Sequence, residues 1–272
     1  MNAEQIASGR WWDRAWSLVD GCTFREDRIG LPLQTCKPTV WAVSNDLFHE
    51  RVSIVQIDDA FHTMASWCLR CRKADCDHED AACWQDPGHV YLVLTTRADR
   101  MRKVMAEDLA DAIGPWPGGE PLYIAMEGRE TWLLPNVWVG VTVENQTSAD
   151  ERMPHLLALA REGWRTFVSY EPALGPVNWR KWIRPVTATG RFRTHTGIRQ
   201  VQFRRRCFIG GLICGGETGP GARPMNPEWA RAARDACAAA HVRFFLTHLD
   251  GTGRTLDGRT HDELPWVAEE TP

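Results

Sequence analysis

The sequence predicts an α/β protein built on a parallel (β/α) barrel that is incomplete or distorted. Short apolar segments alternate with helix-like patterns about six or seven times along the 272 residues. Polar and charged residues follow most of the apolar segments directly, as they do at the carboxyl ends of barrel strands. The length suits one barrel, and we therefore expect a single domain over residues 1–272.

Composition is that of a soluble globular protein, with 43% hydrophobic and 25% charged residues. A net charge of −3 excludes a general attraction to nucleic acid, so any contact with a polyanion must come from a local patch. The N-terminus has no apolar signal core, and no apolar run is long enough to cross a membrane. We expect a cytoplasmic protein without membrane contact.

The strands are predicted from short apolar runs in chain order. A first apolar run covers residues 11–23, and strands are predicted at 40–44, 90–94, 137–143, 166–170, 212–214 and 243–246. Residues 114–136 are rich in proline and glycine and are expected to form a loop.

The helices between these strands have recognisable starts and stops. Ser53 and Gln56 form a capping-box pattern before apolar residues at helical spacing, and a second helix over 101–113 stops at Gly114. Ser148 and Glu151 form another capping-box pattern, before a helix that ends near Gly163. The last helix is predicted to open at 226–227, with asparagine as N-cap and proline in the first turn.

Residues that follow the strands would converge on one face of a barrel, the usual position of an active site. The loop over 211–229 adds several glycines between a strand and a helix, where backbone N–H groups can meet a ligand. The alternative is a set of solvated loop residues with a tight turn that needs its glycines. The predicted ligand-binding mouth consists of Asp46, His49, Arg97, Glu144, Glu171, Gly215, Gly216, Glu217 and Arg223.

A cysteine-rich insertion over 68–89 has the residue types of a metal site. A C-x2-C pair offers two thiolates to one tetrahedral ion, and further ligands follow within a few residues. The segment is too polar to order itself by burial, which favours structural zinc over free thiols on a mobile loop. The candidate ligands are Cys68, Cys71, Cys76, His78 and Cys83.

A second insertion, over 178–206, is predicted to be irregular and is basic, with aromatic residues interleaved. Arginines hold phosphates while aromatic rings stack on bases, so a nucleic acid or nucleotide is one candidate partner. A solvated hairpin or a disordered segment is the alternative. The residues concerned include Arg180, Lys181, Arg184, Arg191, Arg193, Arg204, Arg205 and Arg206.

Several motifs, taken together, resemble a phage-associated family of unknown function, usually labelled gp-thirty-seven/gp-sixty-eight. They are Gly21-Cys22-Thr23, SNDLFHE at 44–50, LVLTTRADRM at 92–101, LPNVWVGVTVENQTSADERMPHL at 134–156, YEPALGP at 170–176, GGETGPGARPMNPEW at 215–229 and LDGR at 256–259. That family resembles the radical S-adenosylmethionine barrels. The resemblance therefore implies a barrel fold, a phage or prophage origin, an iron–sulfur cluster and S-adenosylmethionine as cofactors.

The cluster loop that the resemblance implies is degenerate in this chain. The family places a further cysteine and a C-x-x-C pair soon after the GCT motif, whereas here Cys22 is followed only by a lone Cys36. We interpret the chain as a ligand-binding or accessory protein that has lost the cluster and can engage a protein partner. The alternative is a radical S-adenosylmethionine enzyme that modifies a nucleic acid or nucleotide, and no catalytic residue is assigned.

Overall fold

The structure is a computed structural model that describes residues 12–21, 23–35, 37–65, 89–108, 134, 136–184, 186–194, 197–205, 208–249 and 253–266. For residues 65, 107–108, 186–194 and 197–205 the description is limited to the backbone.

Thirteen strands and five α-helices occur in the described part of the chain. The strands are β1 (Arg14–Ser17), β2 (Val19–Asp20), β3 (Thr23–Phe24), β4 (Val40–Ser44), β5 (Val90–Thr95), β6 (Val137–Thr142), β7 (Arg165–Tyr170), β8 (Val186–Thr194), β9 (Gly197–Arg205), β10 (Gly211–Gly215), β11 (Arg243–His248), β12 (Thr255–Leu256) and β13 (Arg259–Thr260). The helices are α1 (Ile54–Ala65), α2 (Ala98–Lys103), α3 (Gln146–Glu162), α4 (Trp179–Trp182) and α5 (Pro227–Ala240).

Seven strands form one parallel sheet in the order β1-β4-β5-β6-β7-β10-β11. The sheet is curled into a half-barrel, so the prediction of an incomplete parallel barrel is confirmed. Each step from one strand to the next in this order follows the chain, as in a (β/α) barrel. Because every strand points the same way, all seven carboxyl ends lie at one edge of the sheet, here called the carboxyl edge.

Alternate residues of each strand enter two different hydrophobic clusters. On β5, Tyr91 and Val93 pack in the larger cluster with residues of the helices, whereas Leu92 belongs to a smaller cluster with Trp138 and Phe167. Successive side chains of a strand point to opposite faces, so the helices cover one face and the smaller cluster lies on the other. We call the face opposite the helices the inner face.

Two predicted helix starts are confirmed and one is wrong. Ser53 and Gln56 exchange the bonds of a capping box, and Asn226 caps α5 by accepting from the Glu228 N–H at 3.0 Å. The third helix, α3, is instead capped by Asn145, with Ser148 at the third helical position returning the bond. Asparagine is as good an N-cap as serine, and here it stands directly after the strand.

Two further expectations are corrected by the backbone. Of the helix predicted over 101–113, the described residues form an α-helix over Ala98–Lys103 and a π-turn over Val104–Asp108, and residues 109–113 lie outside the described part. The segment predicted to be irregular contains α4 and a regular antiparallel hairpin of β8 and β9. The two strands of a hairpin satisfy each other's backbone N–H and C=O groups even where the side chains are mostly polar. The hairpin was therefore missed by a prediction from apolar periodicity.

Among the described residues, no helix combines the length and the apolar character needed to cross a membrane.

Candidate functional site

The predicted mouth residues lie at the carboxyl edge. Glu144, Glu171 and Glu217 come just after β6, β7 and β10, which are neighbours in the sheet. Asp46 and Arg97 follow β4 and β5, the next two strands along the same edge. Neighbouring strands are about 4.8 Å apart, so these side chains start from one continuous row. Their role in ligand binding is not tested by this placement and stays a prediction.

Asp46 is held by donors from two strand ends. Its carboxylate accepts from the Thr95 hydroxyl at 2.6 Å, the Phe48 N–H at 3.0 Å and Arg97 Nη1 at 2.7 Å. The side chain is only 15% exposed, and charge-assisted bonds to a partly buried carboxylate are strong. Asp46 therefore fixes the loop after β4 against the end of β5.

Arg97 joins two carboxylates at this end of the edge. In addition to Asp46, its Nε donates to Glu50 Oε1 at 2.7 Å. That hydrogen bond is the main cause that lowers the pKa of Glu50 to about 2, and Glu50 in turn raises the pKa of Arg97. His49 lies beside them, with Nε2 3.8 Å from Glu50, and its N–H donates to the Asp46 carbonyl at 3.0 Å.

Arg100, which the sequence did not single out, ties the same loop to α2. Its guanidinium donates to the carbonyls of Phe48 and His49, and to that of Val52 at 2.6 Å. These bonds satisfy carbonyl groups in a loop that has few backbone partners of its own. The sequence signal for this contact is the ADRM segment, because α2 begins there soon after β5 and Arg100 lies in its first turn.

Glu144 is paired with a cation from α3, the helix that follows it. Arg152 Nη1 lies 2.9 Å from Glu144 Oε2 and also donates to the Thr142 carbonyl at 2.8 Å. The Glu144 carbonyl accepts from the N–H groups of Leu174 and Gly175. Glu144 therefore anchors the YEPALGP loop to the end of β6 and is already balanced by an arginine.

Glu171, Gly215 and Thr247 form a compact contact at the other end of the edge. The Thr247 hydroxyl lies 2.8 Å from Glu171 Oε1 and 3.1 Å from the Cys214 carbonyl. A Cβ at Gly215 would lie 2.0 Å from the Thr247 hydroxyl oxygen and 2.8 Å from Glu171 Oε1. Gly216 is equally crowded, since its Cβ would lie 2.7 Å from the Leu249 carbonyl oxygen.

Glu217 and Arg223 pair within the glycine loop. Arg223 donates from Nε at 2.8 Å and from Nη2 at 2.7 Å, and its backbone N–H donates to the same carboxylate at 2.9 Å. These bonds lower the pKa of Glu217 to about 2. The pair closes the loop on itself and is compatible with a purely structural role.

A cavity of about 330 Å³ lies at the carboxyl end of the inner face, over β1, β4 and β5, and reaches β6 at Thr142. Its apolar lining comes from Trp12 and from side chains on the inner face, namely Ala15, Ala42, Leu92 and Leu94. Its polar lining includes Ser44, Asp46, Thr96 and Arg97. Pockets for small ligands start at about 300 Å³ and combine an apolar wall with a few polar groups.

Of the predicted mouth residues, Asp46 and Arg97 line this cavity. Its apolar lining was missed by sequence reasoning because those residues lie within strands rather than after them. The signal was present in VWAVS at 40–44, where Ala42 and Ser44 alternate with the larger Trp41 and Val43.

Several predicted site residues lie outside the described residues, or have only their backbone described. The first group comprises Cys22, Cys36, Cys68, Cys71, Cys76, His78, Cys83 and Arg206. The second comprises Arg191, Arg193, Arg204 and Arg205, all in the β8–β9 hairpin. Arg180, Lys181 and Arg184 are exposed around α4, and Lys181 bonds to Asp150 at 2.5 Å. Within the described part, no group of three or more His, Cys, Asp or Glu could hold a metal ion.

Comparison with known proteins places the chain in a family but adds no function. The family model described as Protein of unknown function (DUF5131) matches residues 80–265, well over half of the chain. Neither a curated protein nor a solved structure gives a significant match. The matched range includes β5 to β13, whereas β1, β4 and the SNDLFHE motif precede it.

Proposed function

This chain belongs to the DUF5131 family of proteins of unknown function, and from that premise we propose that it binds a small molecule. The observation that carries the proposal is the 330 Å³ cavity with an apolar wall and a polar rim at the carboxyl edge. In open α/β sheets and barrels, ligands bind at the carboxyl ends of the strands. The size suits a ligand of about the dimensions of a nucleoside.

The proposed ligand site is the half of the mouth nearest Arg97. There Asp46 and Arg97 line a cavity, whereas Glu144 and Glu217 are each engaged by an arginine of their own. The Glu144 and Glu217 side chains do not line that cavity. We therefore assign ligand contact to the Asp46–Arg97 side and a supporting role to the Glu144–Arg152 and Glu217–Arg223 pairs.

The loop after Cys22 does not supply the donors of an iron–sulfur cluster of the radical S-adenosylmethionine type. Such a cluster needs three closely spaced thiolates. Residues 23–35 contain β3 and two 3-10 turns, and none of them is a cysteine. The family match also begins only at residue 80, after this region. Loss of the cluster is thus part of the proposal, together with the phage origin that the motifs imply.

The ligand-binding proposal is tested by blocking the cavity. Ala42→Phe adds a ring to the inner face within the cavity, and Val55→Phe adds the same ring to a residue of α1 that is 68% exposed. We expect purified wild-type protein and Val55→Phe to bind a member of a panel of purine and pyrimidine nucleosides by calorimetric titration. Ala42→Phe should lose that binding. Equal affinities of Ala42→Phe and wild-type protein would refute the assignment of the cavity.

The alternative enzyme function has its own test. Anaerobic reconstitution with iron and sulfide, followed by optical spectroscopy, should give no stoichiometric four-iron chromophore. A full chromophore with cleavage of S-adenosylmethionine would establish the radical enzyme, acting on a nucleic acid or nucleotide, in place of the accessory protein.

The zinc and nucleic-acid assignments are also proposals. Zinc at the 68–83 cysteines predicts about one equivalent of metal in purified protein, lost in a Cys68→Ala/Cys71→Ala variant. Nucleic-acid contact through the basic insertion predicts salt-dependent binding of a single-stranded oligonucleotide, weakened when Arg180, Lys181 and Arg184 are replaced by Gln. Absence of metal from native protein, or binding that is unchanged by the triple replacement, would remove the respective assignment.

A further inference from the structure

Arg97 lines the cavity, and only part of the hydrogen-bonding capacity of its guanidinium is used by the described residues. A guanidinium carries five N–H donors, and two of Arg97's are used, one by Glu50 and one by Asp46. The other three N–H groups of the guanidinium bond to no acceptor within the part of the chain that the structure describes. Arg97 lines the cavity, so these donors are available to a ligand there.

The position of this guanidinium is fixed before any ligand binds. Asp46 Oδ2 lies 2.7 Å from Nη1 and Glu50 Oε1 lies 2.7 Å from Nε, so two carboxylates hold the group on two sides. Asp46 itself is fixed by the Thr95 hydroxyl. A donor held in this way loses little conformational freedom when a ligand binds. It therefore favours ligands whose acceptor atom lies at the matching position.

The charge around Arg97 favours an uncharged acceptor. Its single positive charge is opposed by Asp46 and Glu50, and the pKa of Glu50 is low enough to keep that carboxylate ionised at neutral pH. Arg100, in α2, brings the sum of these four charges to zero, but its guanidinium donates to backbone carbonyls of the loop after β4. A phosphate or carboxylate that approached Arg97 would also lie close to the Asp46 and Glu50 carboxylates, which repel it.

The remaining wall of the cavity suits a flat apolar body. Ala42 and Leu92 are register partners on the inner face, Leu94 follows on the same face, and Trp12 packs against this cluster. Aromatic rings stack and bury well on such a surface. The polar edge of such a ring would then reach the rim of the cavity, where Arg97 lies.

We propose that Arg97 determines ligand specificity and that the ligand is an uncharged heteroaromatic ring, which presents a ring nitrogen or carbonyl oxygen to its free donors. This inference rests on the proposed ligand-binding function of the same cavity. It goes beyond that function because it excludes ligands that bind mainly through a phosphate group.

The test compares adenosine, inosine, cytidine and uridine with their 5′-monophosphates by calorimetric titration at fixed ionic strength. We expect the nucleoside to bind at least as tightly as its monophosphate. Arg97→Met should weaken nucleoside binding by about tenfold, the usual effect of removing a hydrogen bond to a ligand. Arg231→Met is the matched control, because Arg231 is also paired with two carboxylates, those of Asp257 and Glu228. Arg231 lies on helix α5 and does not line the cavity.

If Arg97→Met does not fold, Arg97→Lys keeps the charge beside Asp46 but lacks the planar set of donors, and it should also bind more weakly. A monophosphate that binds tenfold tighter than its nucleoside would overturn the inference while leaving the ligand site intact. Unchanged affinity in both Arg97 variants would do the same. No binding of any compound to wild-type protein would instead refute the ligand-binding function on which the inference rests.

Discussion

The hydroxyl of Thr247 lies 2.8 Å from Oε1 of Glu171, although Thr247 lies in β11 and Glu171 follows β7, which is not a neighbour of β11 in the sheet. Strand β10 runs between them and ends at Gly215, where a Cβ would lie 2.0 Å from the Thr247 hydroxyl oxygen and 2.8 Å from Glu171 Oε1. The glycine therefore lets a residue after β7 reach β11 across an intervening strand end. This contact fixes the last three strands of the carboxyl edge relative to each other.

The first prediction is that Gly215→Ala destabilises the protein by about 1–3 kcal/mol, the usual cost of overpacking. The new Cβ would meet the Thr247 hydroxyl oxygen at 2.0 Å, so the double variant Gly215→Ala/Thr247→Ala should regain part of the loss. Urea unfolding measures both. Gly30→Ala is the control, because a Cβ there has no neighbour within 4 Å among the described residues and should change stability by less than about 0.5 kcal/mol. Equal effects at the two glycines would contradict the contact.

A second prediction concerns Arg152, which holds Glu144 and the Thr142 carbonyl. Arg152→Met leaves a carboxylate that is 23% exposed without its cation, and we expect a loss of about 1–3 kcal/mol in urea unfolding. Arg259→Met removes a cation that is 73% exposed and lies 3.7 Å from Glu263, so it should cost less than about 0.5 kcal/mol. If both variants unfold like wild-type protein, Arg152 does not anchor the end of β6.

A third prediction is a pH dependence from Glu217. Its pKa in the folded protein is about 2, below the ordinary value of 4.5, because Arg223 stabilises the charged form. A lowered pKa contributes stability that is fully present above pH 4.5 and is lost as the pH falls towards 2. Wild-type protein should therefore be more stable than Glu217→Gln at pH 6, and the difference should shrink between pH 4.5 and pH 2. A difference that is constant over this range would show that the pair does not form.

A fourth prediction compares two asparagines that precede helices. The Asn226 side chain accepts from the Glu228 N–H, so Asn226→Ala should lower the thermal unfolding midpoint in line with a loss of about 1 kcal/mol. The Asn178 side chain makes no capping bond in the described structure, so Asn178→Ala should have a much smaller effect. The reverse order would mean that α5 is not capped as described.

The fold was largely readable from local patterns. Strand ends such as Ser44 and Thr142 are predicted within one or two residues, because apolar runs and the polar residues after them are properties of a few consecutive positions. The start of α3 was misplaced because Asn145 and Ser148 are both good caps, and only the completed helix decides between them.

The site was predictable only in part, since it depends on contacts between distant residues. The pairing of Asp46 with Arg97 spans 51 positions and needs the order of β4 and β5 in the sheet. The cavity lining depends on which face Ala42 and Leu94 present, and a shift of one residue would reverse it. The order and register of the strands therefore determine the Asp46–Arg97 pairing and the cavity lining, which the motifs alone could not predict.

The central claim, that a ligand lies against the inner face beside Arg97, is tested most directly by methyl NMR. Protein labelled at alanine and leucine methyl groups would be titrated with the nucleoside that binds best. We predict that the resonances of Ala15, Ala42, Leu92 and Leu94 shift with the titration, while those of Leu156 and Leu159, on α3 in the opposite cluster, stay unchanged. Shifts confined to α3, with the four cavity methyls unmoved, would contradict the account.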